Sequence, residues 1–295
     1  MYLWSGMATR PNRWTSENLR HVTAFFRQGR NPAARVYESI GSDFFLAPAP
    51  GWLNLGLWEG SGSEAEAEAA CRRLVQTVAE ALPKGGMVLD VGNGLGAQDP
   101  VISSVAGPRT LVALNITEWQ LRAGRARLRE ADAAPVVGDA CRLPIASGSL
   151  DGVISVEAAF HFSSRRAFFE ECVRVLRPGG VLSMSDIATE RLPRGPWEAI
   201  AGLTQLRVWG MGRGAAMTAA EIAQAAGVAG LVDLEVSAWG DRVIEPALQL
   251  TRGRLRRVTQ APFGQRAAAR AMLAQVDLLW QRGMIDYIFV RAVRP

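Results

Sequence analysis

Met87-Val-Leu-Asp-Val-Gly-Asn-Gly-Leu-Gly96 is the stretch on which the fold turns. Met87 to Val91 is a short apolar run and reads as a buried strand. It breaks into Gly92, Gly94 and Gly96, residues that let a backbone turn sharply and let a ligand come close to it. A helix is expected next, from about Asp99 to Val105. Strand, glycine turn and helix together are how α/β proteins hold nucleotide-like ligands at the carboxyl ends of their strands. The same glycines fit the dinucleotide pattern G-x-G-x-x-G/A with Ala97 last. A tight turn without a ligand is the plain alternative, so the flanking segments have to decide.

Those segments alternate. Strands are expected at 87–91, 110–115, 135–138, 151–156 and 180–186, with helices at 99–105, 118–131 and 164–176. Alternation of this kind implies a parallel sheet covered on both faces. Upstream, Trp14 to Gln28 and Ala33 to Ile40 read as short helices. Asp43 to Glu59 reads as an apolar loop punctuated by Pro, Gly and two tryptophans. Glu64 to Leu82 is a strong amphipathic helix, with Ser63 placed to cap it and Pro83 to end it. Downstream, 191–217 reads as an inserted helical lid and 218–226 as a helix capped by Thr218. Residues 232–238 and 286–293 read as strands, and 243–282 as mostly helical. The expected division is an N-terminal helical lid over 1–63 and a Rossmann-like domain over 64–295, with helical insertions at about 191–217 and 243–282.

Composition narrows the function. The chain is 48% apolar and 21% charged, the balance of a globular protein and not of a disordered one. Its net charge of +5 comes from scattered arginines and no long basic run, which favours solubility over nucleic-acid binding. Three cysteines without a C-x-x-C pattern point to a reducing compartment, and two histidines leave little for a metal site. No apolar run reaches the roughly 18 residues of a membrane span, and the first residues lack a signal pattern. A cytoplasmic location is the expectation.

Four segments line up behind the glycine turn. Asp90 precedes the glycines, where an acid either braces the loop or accepts from a cationic ligand. The second strand ends at Asn115, where an acid would bind ribose hydroxyls; Asn still offers two hydrogen bonds without charge. The third ends before Asp139, which can accept from an adenine amino group. Val173-Arg-Val-Leu-Arg-Pro-Gly-Gly180 closes a helix with a firm turn.

D-V-G-N-G-L-G, G-D-A-x-x-L-P, D-G-V-I-S-V-E and R-V-L-R-P-G-G, in this order, resemble the class I S-adenosylmethionine-dependent methyltransferases over about residues 85–190. The G-W-L-N-L-G-L-W and N-I-T-E-W-Q segments are similar to small-molecule methyltransferases of the sterol, tocopherol and natural-product types. The resemblance implies a seven-stranded sheet with an antiparallel last strand. It also implies S-adenosylmethionine as cofactor, with contacts from Asp90, Gly92, Asn93, Gly94, Asn115, Ile116, Gln120, Asp139, Ala140, Glu157, Tyr37 and Trp58. Many members carry an acid where Asn115 stands, although sterol- and tocopherol-type relatives also lack it. A dehydrogenase would want that acid and leaves R-V-L-R-P-G-G unexplained.

Glu157-Ala-Ala-Phe-His-Phe162 follows the fourth strand, at the edge where the methyl group should sit. An imidazole at His161 suits general-base work; a packing or cofactor-orienting histidine between Phe160 and Phe162 is the plainer option. Asp186 ends the fifth strand and is placed to fix the His161 tautomer, an arrangement that some natural-product sugar O-methyltransferases resemble. Tyr37, Trp52 and Trp58 are candidates for an aromatic cofactor entrance that stabilises a sulfonium by cation–π attraction, or for core packing. The expected activity is methyl transfer to a small organic acceptor at oxygen or nitrogen, with no metal, no nucleic acid and no membrane partner. C-methylation of an isoprenoid alkene and a non-catalytic cofactor-binding protein are the alternatives.

Overall fold

The computed structural model describes residues 47–208, 211, 216–257 and 263–295. The helices expected at 14–28 and 33–40, Tyr37 and most of the N-terminal lid lie outside them. The elements run α1 (Ala67–Glu80), β1 (Met87–Val91), α2 (Asp99–Ala106), β2 (Thr110–Asn115), α3 (Glu118–Ala123), α4 (Arg125–Glu130), β3 (Ala133–Val137) and β4 (Leu150–Val156). A 3-10 turn (Ala159–His161), α5 (Arg165–Val175), β5 (Leu176–Thr189), α6 (Pro196–Val208), α7 (Ala219–Ala229), β6 (Val232–Ala238), α8 (Gly240–Arg257), α9 (Phe263–Gln281) and β7 (Ile285–Val293) complete them.

The seven strands form one sheet in the order β3-β2-β1-β4-β5-β7-β6. The pairs among β1 to β5 are parallel, and β7 runs antiparallel to both β5 and β6. The strand order reverses between β1 and β4, the switch point outside whose carboxyl ends open α/β sheets bind ligands. Strand alternation sorts the core into two faces. Val88, Leu111 and Ile154 pack with Leu74, Val75 and Val78 of α1 and with Ile102 of α2. Leu89, Val91, Val153 and Met184 pack with Phe168, Phe169 and Cys172 of α5 and with Ile222 of α7.

Several boundaries differ from expectation for identifiable reasons. The helix expected at 118–131 breaks at Gly124 into α3 and α4, and the Leu95 carbonyl comes so close there that a Cβ would lie 2.5 Å from it, which calls for glycine. Ser63 does not cap α1, whose first turn starts at Ala67 after Glu66. The Glu66 carboxylate instead turns back to the Glu59 and Gly60 amides. The 243–282 stretch forms two helices, α8 and α9. Thr218 does cap α7, in a reciprocal capping box with Glu221. Among the described residues no helix is long and apolar enough to cross a membrane.

Candidate active site

The glycine turn takes its shape from positive φ angles: +81° at Gly92, +59° at Gly94 and +75° at Gly96. A Cβ on Gly92 would sit 2.4 Å from the Ala158 Cβ, so only glycine fits there. The Gly92 amide donates to the Leu114 carbonyl at 2.8 Å, tying the turn to β2.

Beneath the turn lies a buried polar network. Gln98 Nε2 donates to both Asp90 oxygens at 2.7 Å, and Asn93 Nδ2 donates to Asp99 Oδ2 at 3.2 Å. Asn115 Nδ2 reaches Asn93 Oδ1, the Gly94 carbonyl and Gln120 Oε1 within 3.1–3.3 Å. Burial first, then repulsion by Asp99, holds the Asp90 carboxyl well above its ordinary range. Burial pushes Asp99 up to about 7. Of the two roles expected for Asp90, the geometry fits the brace: it is fully buried and served by Gln98. Asn115 likewise bridges the turn to α3.

The ends of β2 and β3 are adjacent, with Asn115 paired to Val137. Beyond them Ile116 is 41% exposed and Asp139 is exposed, its Oδ1 accepting from the Cys141 amide at 2.9 Å; Ala140 is buried. An apolar side chain and an acceptor side by side suit an aromatic base. The positions expected to contact the cofactor thus gather along the carboxyl edge of β1 to β4. Trp58 is the correction. It is 2% exposed and packs against Ala67, Ala70 and Leu250, with its Nε1 donating to the Leu55 carbonyl at 2.8 Å. Trp52 is also in the core.

Past β4, Glu157 holds φ +50°, a strained value for a residue with a Cβ. Its Oε1 accepts from the Leu55 amide at 2.7 Å and lies 2.9 Å from the Tyr287 hydroxyl, itself 2.8 Å from Ser185 Oγ. With one proton, Tyr287 donates to one neighbour and accepts from the other. Burial drives the Glu157 carboxyl up to about 8. His161 closes the 3-10 turn, its amide bonded to the Ala158 carbonyl at 3.0 Å and its ring tilted against Phe160 with centroids 4.0 Å apart.

Asp186 departs from the expected pairing. Its Oδ2 accepts from Arg165 Nε at 2.6 Å and its Oδ1 from the Ile187 amide at 2.9 Å, and both ionic side chains are at most 1% exposed. Its observed charge partner is therefore Arg165, and a carboxylate neutralised by a guanidinium is a weak brace for an imidazolium. Sequence reasoning missed Arg165. The signal was its spacing with Phe168, Phe169 and Cys172, which places an arginine on the buried face of α5.

A cavity of about 430 Å³ opens beside Glu157 and Phe160, and His161 and Asp186 are not among its lining residues. Its walls include Leu53 and Leu55, Glu157 and Phe160, Ile187 of β5, Leu203 and Leu206 of α6, Leu248 of α8, and Leu273 and Leu279 of α9. Leu53 also meets the glycine turn: a Cβ on Gly94 would lie 3.0 Å from its Cδ1. The loop over 47–55 and the segment after β4 are thus shared between turn and cavity. None of the α8 and α9 lining residues was legible as site residues.

Residues 89–184 match the family model described as a methyltransferase domain. The chain is 29% identical to the erythromycin 3''-O-methyltransferase of Saccharopolyspora erythraea over 89% of this chain and 90% of that one. It is 30% identical to O-methyltransferase resE of Aspergillus sclerotiorum over 58% of this chain and 64% of that one. The cyclopropane synthase MmaA2 from Mycobacterium tuberculosis has the same fold, with a TM-score of 0.73 at 18% identity over 90% of this chain and 99% of that one.

Proposed function

Starting from a chain that is an S-adenosylmethionine-dependent methyltransferase, we propose that it methylates a hydroxyl group of a large, mostly apolar acceptor, with His161 as general base. The observation that carries this reading is the apolar cavity joined to the glycine turn through Leu53 and the 156–162 segment. The nearly full-length likeness to an O-methyltransferase acting on erythromycin supports oxygen as the target.

Bound S-adenosylmethionine supplies a methyl group on a sulfonium, open to in-line displacement. The chain's own part is to hold and to exclude. Gly92, Asn93 and Gly94 let the backbone approach the carboxypropyl end, with Asp90 and Asn115 fixing the turn from below. Gln120 flanks the ribose, and Ile116, Asp139 and Ala140 form the adenine side. The apolar walls keep water from the acceptor, so its position and not solvation sets the approach. His161 takes the hydroxyl proton at a ring nitrogen as the new bond forms. Asp186 serves as a positioning residue: its ion pair with Arg165 pins the start of α5, four residues past His161, to the end of β5.

C-methylation of an alkene is the second reading, favoured by the apolar walls. A carbocation wants aromatic faces, and Phe160 is the only aromatic residue lining the cavity among the described residues. The test is mass spectrometry of macrolide glycosides bearing a free sugar hydroxyl, incubated with methyl-labelled S-adenosylmethionine. A labelled methoxy group supports the proposal. Label on carbon transfers it to the second reading, and no turnover with intact cofactor binding supports a non-catalytic protein.

A further inference from the structure

Resting on the methyltransferase reading, we infer that the acceptor carries no negative charge, that its oxygen-bearing end is held by the second carboxyl oxygen of Glu157, and that the cavity rejects anionic acceptors such as prenyl diphosphates.

Both protein contacts of the Glu157 carboxyl fall on one oxygen. The Leu55 amide and the Tyr287 hydroxyl meet Oε1, while Oε2 has no hydrogen-bond partner among the described residues. Tyr287, steadied by Ser185, therefore sets the carboxyl plane and leaves Oε2 as the polar atom offered to a ligand. Glu157 lines the cavity and holds a backbone conformation that costs energy for any residue with a Cβ. Such strain persists where surrounding structure enforces it, and here Leu55, Ser185 and Tyr287 do so. Burial favours the neutral acid, whose Oε2–H donates to a hydroxyl, ether or carbonyl oxygen. When ionised, Oε2 accepts from a hydroxyl. Both states suit an oxygen function, whereas the ionised state repels a phosphate and the neutral state gives it one hydrogen bond and no balancing charge.

The rest of the wall offers no compensation to an anion. Arg191 is the cation lining the cavity among the described residues, and its guanidinium is committed. Nη1 and Nη2 bond Glu198 at 2.8 and 2.9 Å, and Nε and Nη2 bond the Arg282 carbonyl at 3.0 and 2.8 Å. Gln205 meets Gln275, and Thr251 meets the Ala247 carbonyl. A diphosphate entering this cavity would lose its hydration and find a carboxyl group instead of a charge partner.

Titration calorimetry with S-adenosylhomocysteine present tests this, using farnesol and farnesyl diphosphate as a pair matched in carbon skeleton. Farnesol should bind the unaltered protein at least tenfold more tightly than the diphosphate. Glu157→Leu should weaken farnesol at least tenfold, and Glu157→Gln, which keeps a polar group at the same place, should stay within about threefold. Glu157→Ala replaces the leucine variant if the latter does not fold, and the probe pair on the unaltered protein needs no variant. The inference is overturned if the diphosphate binds as tightly as farnesol, if the leucine variant binds farnesol as well as the unaltered protein, or if neither probe binds. S-adenosylhomocysteine alone is titrated into each protein. Failure of that binding in the unaltered chain would sink the methyltransferase reading, whereas equal cofactor affinity with altered probe affinity isolates Glu157.

Discussion

His161 stands five residues past the end of β4, while Asp186, expected to end the fifth strand, lies inside β5, which stays paired with β7 as far as Thr189. Which groups they touch is a tertiary matter. Asp186 pairs with Arg165, the first residue of α5, and nothing local to Asp186 announces such a partner. The consequences differ by residue. His161→Ala should cut turnover about 100- to 10,000-fold while S-adenosylhomocysteine affinity stays unchanged. Near-normal turnover in His161→Ala would remove the base. Asp186→Asn should act on stability, because it takes the carboxylate charge away from the buried Arg165 guanidinium, at a cost of roughly 3–5 kcal/mol read by chemical denaturation. Glu157 makes a prediction of opposite character. Its folded-state value of about 8 exceeds the ordinary 4.5. The stability it contributes is complete below pH 4.5 and is lost as pH rises toward 8. Glu157→Gln cannot ionise, so its stability relative to the unaltered protein should grow by about 5 kcal/mol across that window. A pH-independent difference would mean that Glu157 titrates as an ordinary surface acid.

At the scale of elements, the core was the legible part. β1, β2 and α2 fall within a residue of expectation because an apolar run, a glycine cluster and a helix pattern lie next to one another in sequence. The break at Gly124 was not legible, and neither was the Leu95 carbonyl that packs against it from another segment. The failed Ser63 cap has a similar origin, in the backward reach of Glu66. The glycine turn is where element geometry and binding coincide. Gly94 combines φ +59° with Leu53 3.0 Å from where a Cβ would stand. Gly94→Val puts a β-branched side chain into a left-handed backbone and pushes it against the loop that borders the cavity. S-adenosylhomocysteine affinity should drop at least tenfold by calorimetry in a protein whose circular dichroism still reports the folded sheet. Unchanged affinity would move the cofactor away from this turn.

For the molecule as a whole, the sequence points to residues 1–60 and 191–285 as the builders of the acceptor pocket but not to its individual wall residues, because the walls come from segments as distant as 47–55, 187–206, 244–251 and 273–285. Each contributes ordinary apolar residues, and only the sheet brings them together. The expected cover over 1–63 and 191–217 now divides into two parts of different character. The described loop is held at several points: the Leu55 amide bonds Glu157, the Leu57 amide bonds the Ala70 carbonyl at 2.9 Å, and the Trp58 amide bonds the Arg242 carbonyl at 2.9 Å. The helix α6 is different. It lines the cavity with Leu203 and Leu206, yet Trp197, Ile200 and Leu203 are 75%, 50% and 61% exposed. Large apolar side chains left in water on a cavity wall gain most from a ligand that draws the wall inward. Hydrogen exchange should therefore slow on binding cofactor product and acceptor chiefly in α6, over 196–208. The amides of Leu55, Leu57 and Trp58, already bonded in the free protein, should change little. If the 52–58 loop gains the protection while α6 does not, the loop is the moving part and its hydrogen bonds to Glu157 and α1 must open during the catalytic cycle. If neither changes, the cavity is preformed, and the acceptor must enter without a closing step.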